Sequence, residues 1–397
     1  MPAPNLAPAV RLPSALLPAA PALDASRGKA WLCLLLALGL AAGCTAPAGR
    51  PATSAGAPAA GERAAGQGAP ASAAPGPTAG FAAARLPAPV TVKFGYVPLL
   101  SGGPVFVALE RGYFEELNLQ LDMIRFNSGA LMVAPLASNE LDLGAGGISP
   151  GLFNALVRDV RLRIIGDGSS SHPGYGTSIL LVRKDLWDAG AIRTPQDLRG
   201  RRVSFATEGS PIDYVMRNLL YQNGLTMDDM EVVRLTSADV PVGFQNRAVD
   251  LAMAAEPFPT QAESVGMAVK WLDDGDIVPG MQISAILASE RFVSQPEVAR
   301  AFMVAYVRAI REYLAANAGR ADEGMLAAIS KWTTVPVDTI RVAGAPYFRP
   351  SGRVDIDDLN RQQEFWIREG VMREKADLSS VVDLQYAEYA NSLLGGR

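Results

Sequence analysis

Few side chains in this chain are suited to chemistry. Its 397 residues hold one histidine, His172, and two cysteines, Cys33 and Cys44. A site needing two or three imidazoles, or a cysteine-rich zinc module, is therefore excluded. Gly144-Ala-Gly-Gly-Ile-Ser149 has the glycines of a phosphate loop but not its lysine or spacing. No serine–histidine pair with an orienting acid is apparent, so no catalytic residue is expected. Asp273-Asp-Gly-Asp276 and Asp355-Ile-Asp-Asp358 lack the spacing of a calcium loop and read as turns or helix starts. Neither a metal nor a cofactor is expected. What remains is binding chemistry. Ser210-Pro-Ile-Asp213 has the residues of a helix start, and Ser149 before Pro150 has the same look. Hydroxyls and first-turn N–H groups at such places can donate to a ligand's oxygen.

Composition narrows the partners. Hydrophobic residues are 49% and charged residues 19% of the chain, with a formal charge of −4. That balance argues against a nucleic-acid partner, which calls for a basic face. The front of the chain has its own character. Arg27 and Lys29 precede an apolar run, Ala30–Ala42, which is followed by Gly43-Cys44. The run falls short of the roughly 20 residues that span a bilayer. It resembles a bacterial lipoprotein signal over 1–43, although Ala41 stands where leucine is commoner. The resemblance implies a lipid on Cys44 that anchors the mature chain to the membrane; an uncleaved anchor with an incidental cysteine is the alternative. Residues 44–89 are nearly all Ala, Gly, Pro, Ser and Thr, and read as a disordered tether. A flexible chain of that length reaches roughly 35–40 Å.

From Val90 the elements alternate. Strands are expected at Val90–Val97, Leu119–Arg125 and Leu141–Leu143, the last running into a glycine loop, with helices at Val105–Arg111 and Pro150–Val157. A second series has strands at Val203–Ala206, Glu231–Leu235 and Leu251–Ala254, with helices at Pro211–Asn223, Val242–Asn246 and Pro259–Val265. This alternation implies parallel strands with crossover helices. The two series are joined by apolar strands at Ile179–Val182 and Gln282–Leu287, which are expected to be the hinge. The rest is read as largely helical, with Val298, Phe302, Tyr306, Ile310 and Tyr313 on one core-facing stripe of a helix over Pro296–Asn317. Two α/β lobes joined in this way predict a cleft, with ligand at the carboxyl ends of the strands.

Phe94-Gly-Tyr-Val-Pro98, Glu110-Arg-Gly-Tyr-Phe114, Ala137-Ser-Asn-Glu-Leu-Asp142, Asp197-Leu-Arg-Gly-Arg-Arg-Val203, Ala248-Val-Asp-Leu-Ala252 and Glu256-Pro-Phe258 follow one another in an order that carries a resemblance. Together the pieces resemble the periplasmic solute-binding proteins of ABC importers, in the group serving nitrate, sulfonates, taurine and thiamine-pyrimidine precursors. The resemblance implies a two-lobed clamshell of type II, with lobe 1 over 90–178 and 284–397, lobe 2 over 179–283, and a two-strand hinge. It implies a monomer outside the cytoplasm that closes on a small molecule and docks on an ABC permease.

Family position and the strand-end rule select Tyr96, Ser101, Asn127, Ser149, Thr207, Ser210, Glu256 and Phe258 as ligand-binding residues. Tyr96 and Phe258 are placed to sandwich a flat ligand. Ser169–Gly176 is read as a lip over the cleft, with His172 and Tyr175 at its edge. Glu208 and Glu256, with no Arg or Lys in the five selected loops, lean the ligand toward an aromatic heterocycle, because a bare anion is the wrong partner for a carboxylate. A sulfonate- or nitrate-type anion remains the alternative, as does a sensor that reports its ligand without importing it. A pyrimidine-precursor enzyme is the remotest reading, since such a site would need more than His172.

Overall fold

Residues 79–395, apart from 159 and 206, are described by a computed structural model. The expected signal, Cys33, Cys44 and most of the tether lie outside the described residues. In chain order the strands are β1 (Val90–Tyr96), β2 (Leu119–Arg125), β3 (Leu143–Gly147), β4 (Leu162–Ser170), β5 (Ser178–Arg183), β6 (Arg202–Ser204), β7 (Glu231–Val233), β8 (Leu251–Ala255), β9 (Ala268–Asp273) and β10 (Gln282–Ser289). The helices that position the site are α1 (Ala79–Ala82), α2 (Gly103–Glu110), α3 (Pro150–Val157), α4 (Pro211–Gln222), α5 (Phe258–Ser264), α6 (Pro296–Ala315) and α7 (Ile356–Arg368).

Two five-stranded sheets form, with orders β2-β1-β3-β10-β4 and β7-β6-β8-β5-β9. β1 runs parallel to β2 and β3, while β10 is antiparallel to β3 and β4. The second sheet repeats the plan: β6 is parallel to β7 and β8, and β5 is antiparallel to β8 and β9. Each sheet therefore has one reversed strand. β5 is buried along its length, which is why it reads as a continuous apolar run. This is the two-lobed α/β fold expected from the alternating elements.

The hinge needs relocating. Ile179–Val182 and Gln282–Leu287 lie inside the sheets as β5 and β10, paired on both sides. The chain crosses between lobes just before them, at 171–177 and at 278–281. The two crossings run side by side: Ser171 N–H donates to Met281 C=O (2.8 Å), and Gly280 N–H to Ser171 C=O (3.1 Å). The stretch read as a lip is therefore the end of β4 followed by the first crossing. His172 stacks there on Tyr347, ring centres 4.3 Å apart.

Two further boundaries differ from expectation. The glycines after Leu143 are themselves β3, because a Cβ at Gly144 would lie 2.8 Å from Met132 Sδ and one at Gly146 would lie 2.6 Å from Leu287 Cδ1. Residues 79–89, read as the end of the tether, are folded. Phe81 is buried in the first lobe's core, and the Arg308 guanidinium lies 4.5 Å from its ring and 3.8 Å from that of Tyr113. Phe81 and Leu86, the large apolar residues of that stretch, are what dock it, each buried group contributing about 1.5–3 kcal/mol. The stripe on α6 is core as expected: Phe302 stacks on Phe94 (5.9 Å) and Phe114 (5.5 Å).

Candidate functional site

The strand ends of the two lobes meet. A Cβ on Gly147, at the end of β3, would sit 3.5 Å from Pro211, which starts α4 in the other lobe. One on Gly209 would sit 3.1 Å from Pro150, which starts α3. Beside this contact lies a cavity of about 240 Å³. Gly129, Ala130 and Val133 form one wall, Gly147, Ser149 and Gly151 the other, and Leu152 and Leu287 complete the lining. The glycines matter for access. A Cβ on Gly129 would lie 3.0 Å from Gly147 N, so the two backbones can approach only without a side chain there.

The donors at the cavity follow from how α3 starts. Ser149 is its N-cap, and the Ser149 hydroxyl accepts from Leu152 N–H at 3.3 Å. Phe153 N–H reaches Ser149 C=O at 3.1 Å, and Pro150 has no N–H. That leaves Gly151 N–H as the first-turn donor with no partner in the helix. The Ser149 hydroxyl accepts one bond, so its proton remains free to donate. An N–H and an O–H at a positive helix end suit a carbonyl or oxyanion. A G-x-S-x-G elbow was not expected, yet Gly147-Ile-Ser149-Pro-Gly151 spells that pattern. Ser149 has extended backbone (φ −157°, ψ 158°) and caps a helix, so it lacks the strained turn of a nucleophile elbow.

The second lobe's loop is held from behind. The Ser210 hydroxyl donates to Thr207 C=O (2.7 Å) and accepts from Asp213 N–H (3.3 Å), so its capacity is used locally. Asp213, fully buried, accepts from Gly209 N–H (2.8 Å) and Arg217 Nε (2.9 Å). Burial pushes the Asp213 carboxyl up, against the pull of those two donors. Arg217 also bonds Glu369 of the first lobe at 2.8 Å, and the Tyr221 hydroxyl donates to Glu369 at 2.7 Å. The helical spacing of Asp213 and Arg217 was a legible signal for this pair; Glu369 lies too far along the chain for sequence to find it.

Of the eight expected ligand residues, only Ser149 lines the cavity. Asn127 is exposed two residues before its wall. Tyr96 packs edge-to-face with Phe106 and Trp332, both at 5.7 Å, and Phe258 stands half-buried at the start of α5; the two rings do not form a pair. Ser101 is half-buried in the turn before α2, and Thr207 is exposed. Glu256 has no side for a ligand. Its buried carboxylate is bonded to Lys270 Nζ (2.9 Å), Thr260 Oγ1 (2.9 Å), Thr260 N–H (3.1 Å) and Gly344 N–H (3.0 Å). Glu208 is exposed and 3.5 Å from Arg217. The two carboxylates invoked against an anion are thus both paired with cations, and that argument fails. Lys270, on β9, was the missed partner.

A type II binding-protein clamshell with its cavity at the strand ends is the class that the fold and site define. The chain belongs to the NMT1-like family, whose profile matches residues 86–324. A binding protein of Brucella abortus (strain 2308) is 25% identical over 231 residues, 57% of this chain and 68% of the relative. The alkanesulfonate-binding protein SsuA from Xanthomonas axonopodis pv. citri, solved bound to MOPS, superposes with a TM-score of 0.60 at 19% identity, covering 75% of this chain and all of that one. The desulfurization enzyme DSZB shares the fold too, with a TM-score of 0.55 at 17% identity over 76% of this chain and 99% of that one. Likeness at such identities is one of fold, and fold alone does not separate a binder from an enzyme.

Proposed function

We propose that this chain is a solute-binding protein that works outside the cytoplasm, captures a small organic solute by lobe closure and delivers it to an ABC permease. The observation that carries the reading is the cavity itself, furnished by Gly151 N–H and the Ser149 hydroxyl in one lobe and abutted by the start of α4 from the other. Binding is favoured over catalysis because the hydroxyls near the cleft act as caps and His172 lies exposed in a crossing. With Glu256 neutralised by Lys270, the preference for an aromatic heterocycle loses its basis. A small molecule with an oxyanion head, such as a sulfonate or carboxylate, suits the helix start better. The binding of alkanesulfonates by SsuA supports the same choice. We further propose that a lipid on Cys44 tethers the protein to the membrane through residues 45–78.

Calorimetric titration against taurine and against an aminopyrimidine tests the ligand class, with mass spectrometry of any solute retained through native purification. Anion binding and a retained anionic metabolite are expected; tight binding of the aminopyrimidine alone would restore the heterocycle. Loss of solute uptake on deletion of the gene supports import, and unchanged uptake favours a sensor. Partition of a Cys44→Ser variant into the aqueous phase of detergent extracts, with the parent in the detergent phase, is the expected mark of the anchor.

A further inference from the structure

Two arginines stand at corresponding strand ends without an ion pair or hydrogen bond among the described residues. Arg125 is the last residue of β2, and Arg234 follows the last residue of β7. Because the sheets share one strand order, β2 and β7 are equivalent outer strands. Both side chains are exposed. They differ in what they lie against.

The Arg234 guanidinium lies 4.3 Å from the ring centre of Phe205, which is buried just beyond β6. It is also close enough to Asp213 to draw that carboxyl downward. Asp213 in turn holds Gly209, the residue that abuts Pro150 at the start of α3. Arg234 therefore belongs to the strand-end side of the second lobe, next to the loop that meets the cavity's lobe. A guanidinium set over an aromatic ring loses freedom without using its N–H donors. Its planar fork is thus pre-oriented and unused, while two neighbouring donors are taken: the Ser210 hydroxyl by Thr207, and Gly209 N–H by Asp213. Asp213 and Glu208 both form their ion pairs with Arg217, and neither makes one with Arg234.

We propose that Arg234 determines specificity in the second lobe: it binds the oxyanion of a sulfonate or carboxylate solute received by the first lobe, and so couples ligand charge to closure. This rests on reading the crevice as the solute site. A bidentate pair between guanidinium and oxyanion strengthens as closure excludes water. Lysine, a point charge without the fork, should replace it only in part.

The test uses the full-length protein in detergent, titrated with taurine, pentane-1-sulfonate, benzoate and a neutral aminopyrimidine at physiological salt. Arg234→Gln is expected to weaken binding of whichever anions the parent binds by about 10- to 100-fold. Arg234→Lys should recover part of that loss, and Arg125→Gln, which removes the same charge from the other lobe, should change affinity by no more than about threefold at this ionic strength. Thermal midpoints should match the parent, since the side chain is exposed. If Arg234→Gln binds the anions as the parent does, or loses no more than Arg125→Gln, the inference is overturned while the solute site stands. If the parent binds only the aminopyrimidine, the inference and the anion reading fall together. A parent that binds and retains no solute at all overturns the reading of the crevice itself.

Discussion

Glu369→Gln probes the contact by which the two lobes hold each other. Glu369 follows α7, which is fixed to the first lobe because Asp358 accepts from Gln282 N–H at the start of β10 (2.6 Å). Its carboxylate bonds Arg217 (2.8 Å) and Tyr221 (2.7 Å) on α4 of the second lobe. Tyr214 packs beside them on Phe365, ring centres 4.6 Å apart. The Arg217 and Glu369 side chains are only 12% and 9% exposed, so screening by solvent is modest. Stripping a buried charge of its only partner costs about 3–5 kcal/mol. Here Arg217 keeps Asp213 at 2.9 Å, and glutamine keeps an acceptor, so about 1–2 kcal/mol is expected. If opening separates α4 from α7, that loss falls on the closed form alone. The closed population then drops about 5- to 30-fold, and apparent solute affinity drops with it wherever the open form dominates without ligand. Calorimetry gives the affinity, and small-angle scattering gives the radius of gyration at partial saturation. A variant with a lower melting temperature but unchanged affinity and scattering would refute the reasoning, because the contact would then persist in both forms.

Other changes separate structural from ligand roles. Glu256→Gln leaves Lys270 with Glu263 at 3.9 Å and should lower stability by about 1–3 kcal/mol in thermal or denaturant unfolding, with solute affinity of the folded fraction unchanged. Ser149→Ala removes the cap of α3 and a cavity hydroxyl, so a loss of about 1 kcal/mol in stability should accompany weaker binding in the same titration. Asp274 supplies a pH test. Burial raises its carboxyl to about 7 while Thr177 N–H and Oγ1–H both donate to it at 3.1 Å. The folded state then holds a proton that the unfolded state has released, so this group makes stability fall as pH rises from about 4 to 7. Asp274→Asn should raise the melting temperature more at pH 8 than at pH 5; equal shifts would contradict the assignment.

Periodicity and caps made the elements legible. β2 and α3 have the expected bounds because alternation and the Ser149-Pro150 start are local signals. β3 was not, since a glycine run looks like a loop until Met132 and Leu287 are seen to crowd it. The crossings were misplaced by a few residues because the apolar runs within β5 and β10 mark burial in a sheet and not a hinge. The strand-end rule selected one residue that lines the cavity, Ser149, and came within two residues of another, Gly129. It missed the role of Glu256 because Lys270, on a neighbouring strand, neutralises it. Arg234 escaped because the loop after β7 was not among those selected. Such pairings depend on sheet order, which no local window contains.

Closure on a solute is best tested by scattering from the purified protein before and after a bound ligand is removed and restored. A radius of gyration that falls on saturation and rises again on removal is the predicted result. Profiles that superimpose in every state, for a solute shown by calorimetry to bind, would contradict the account.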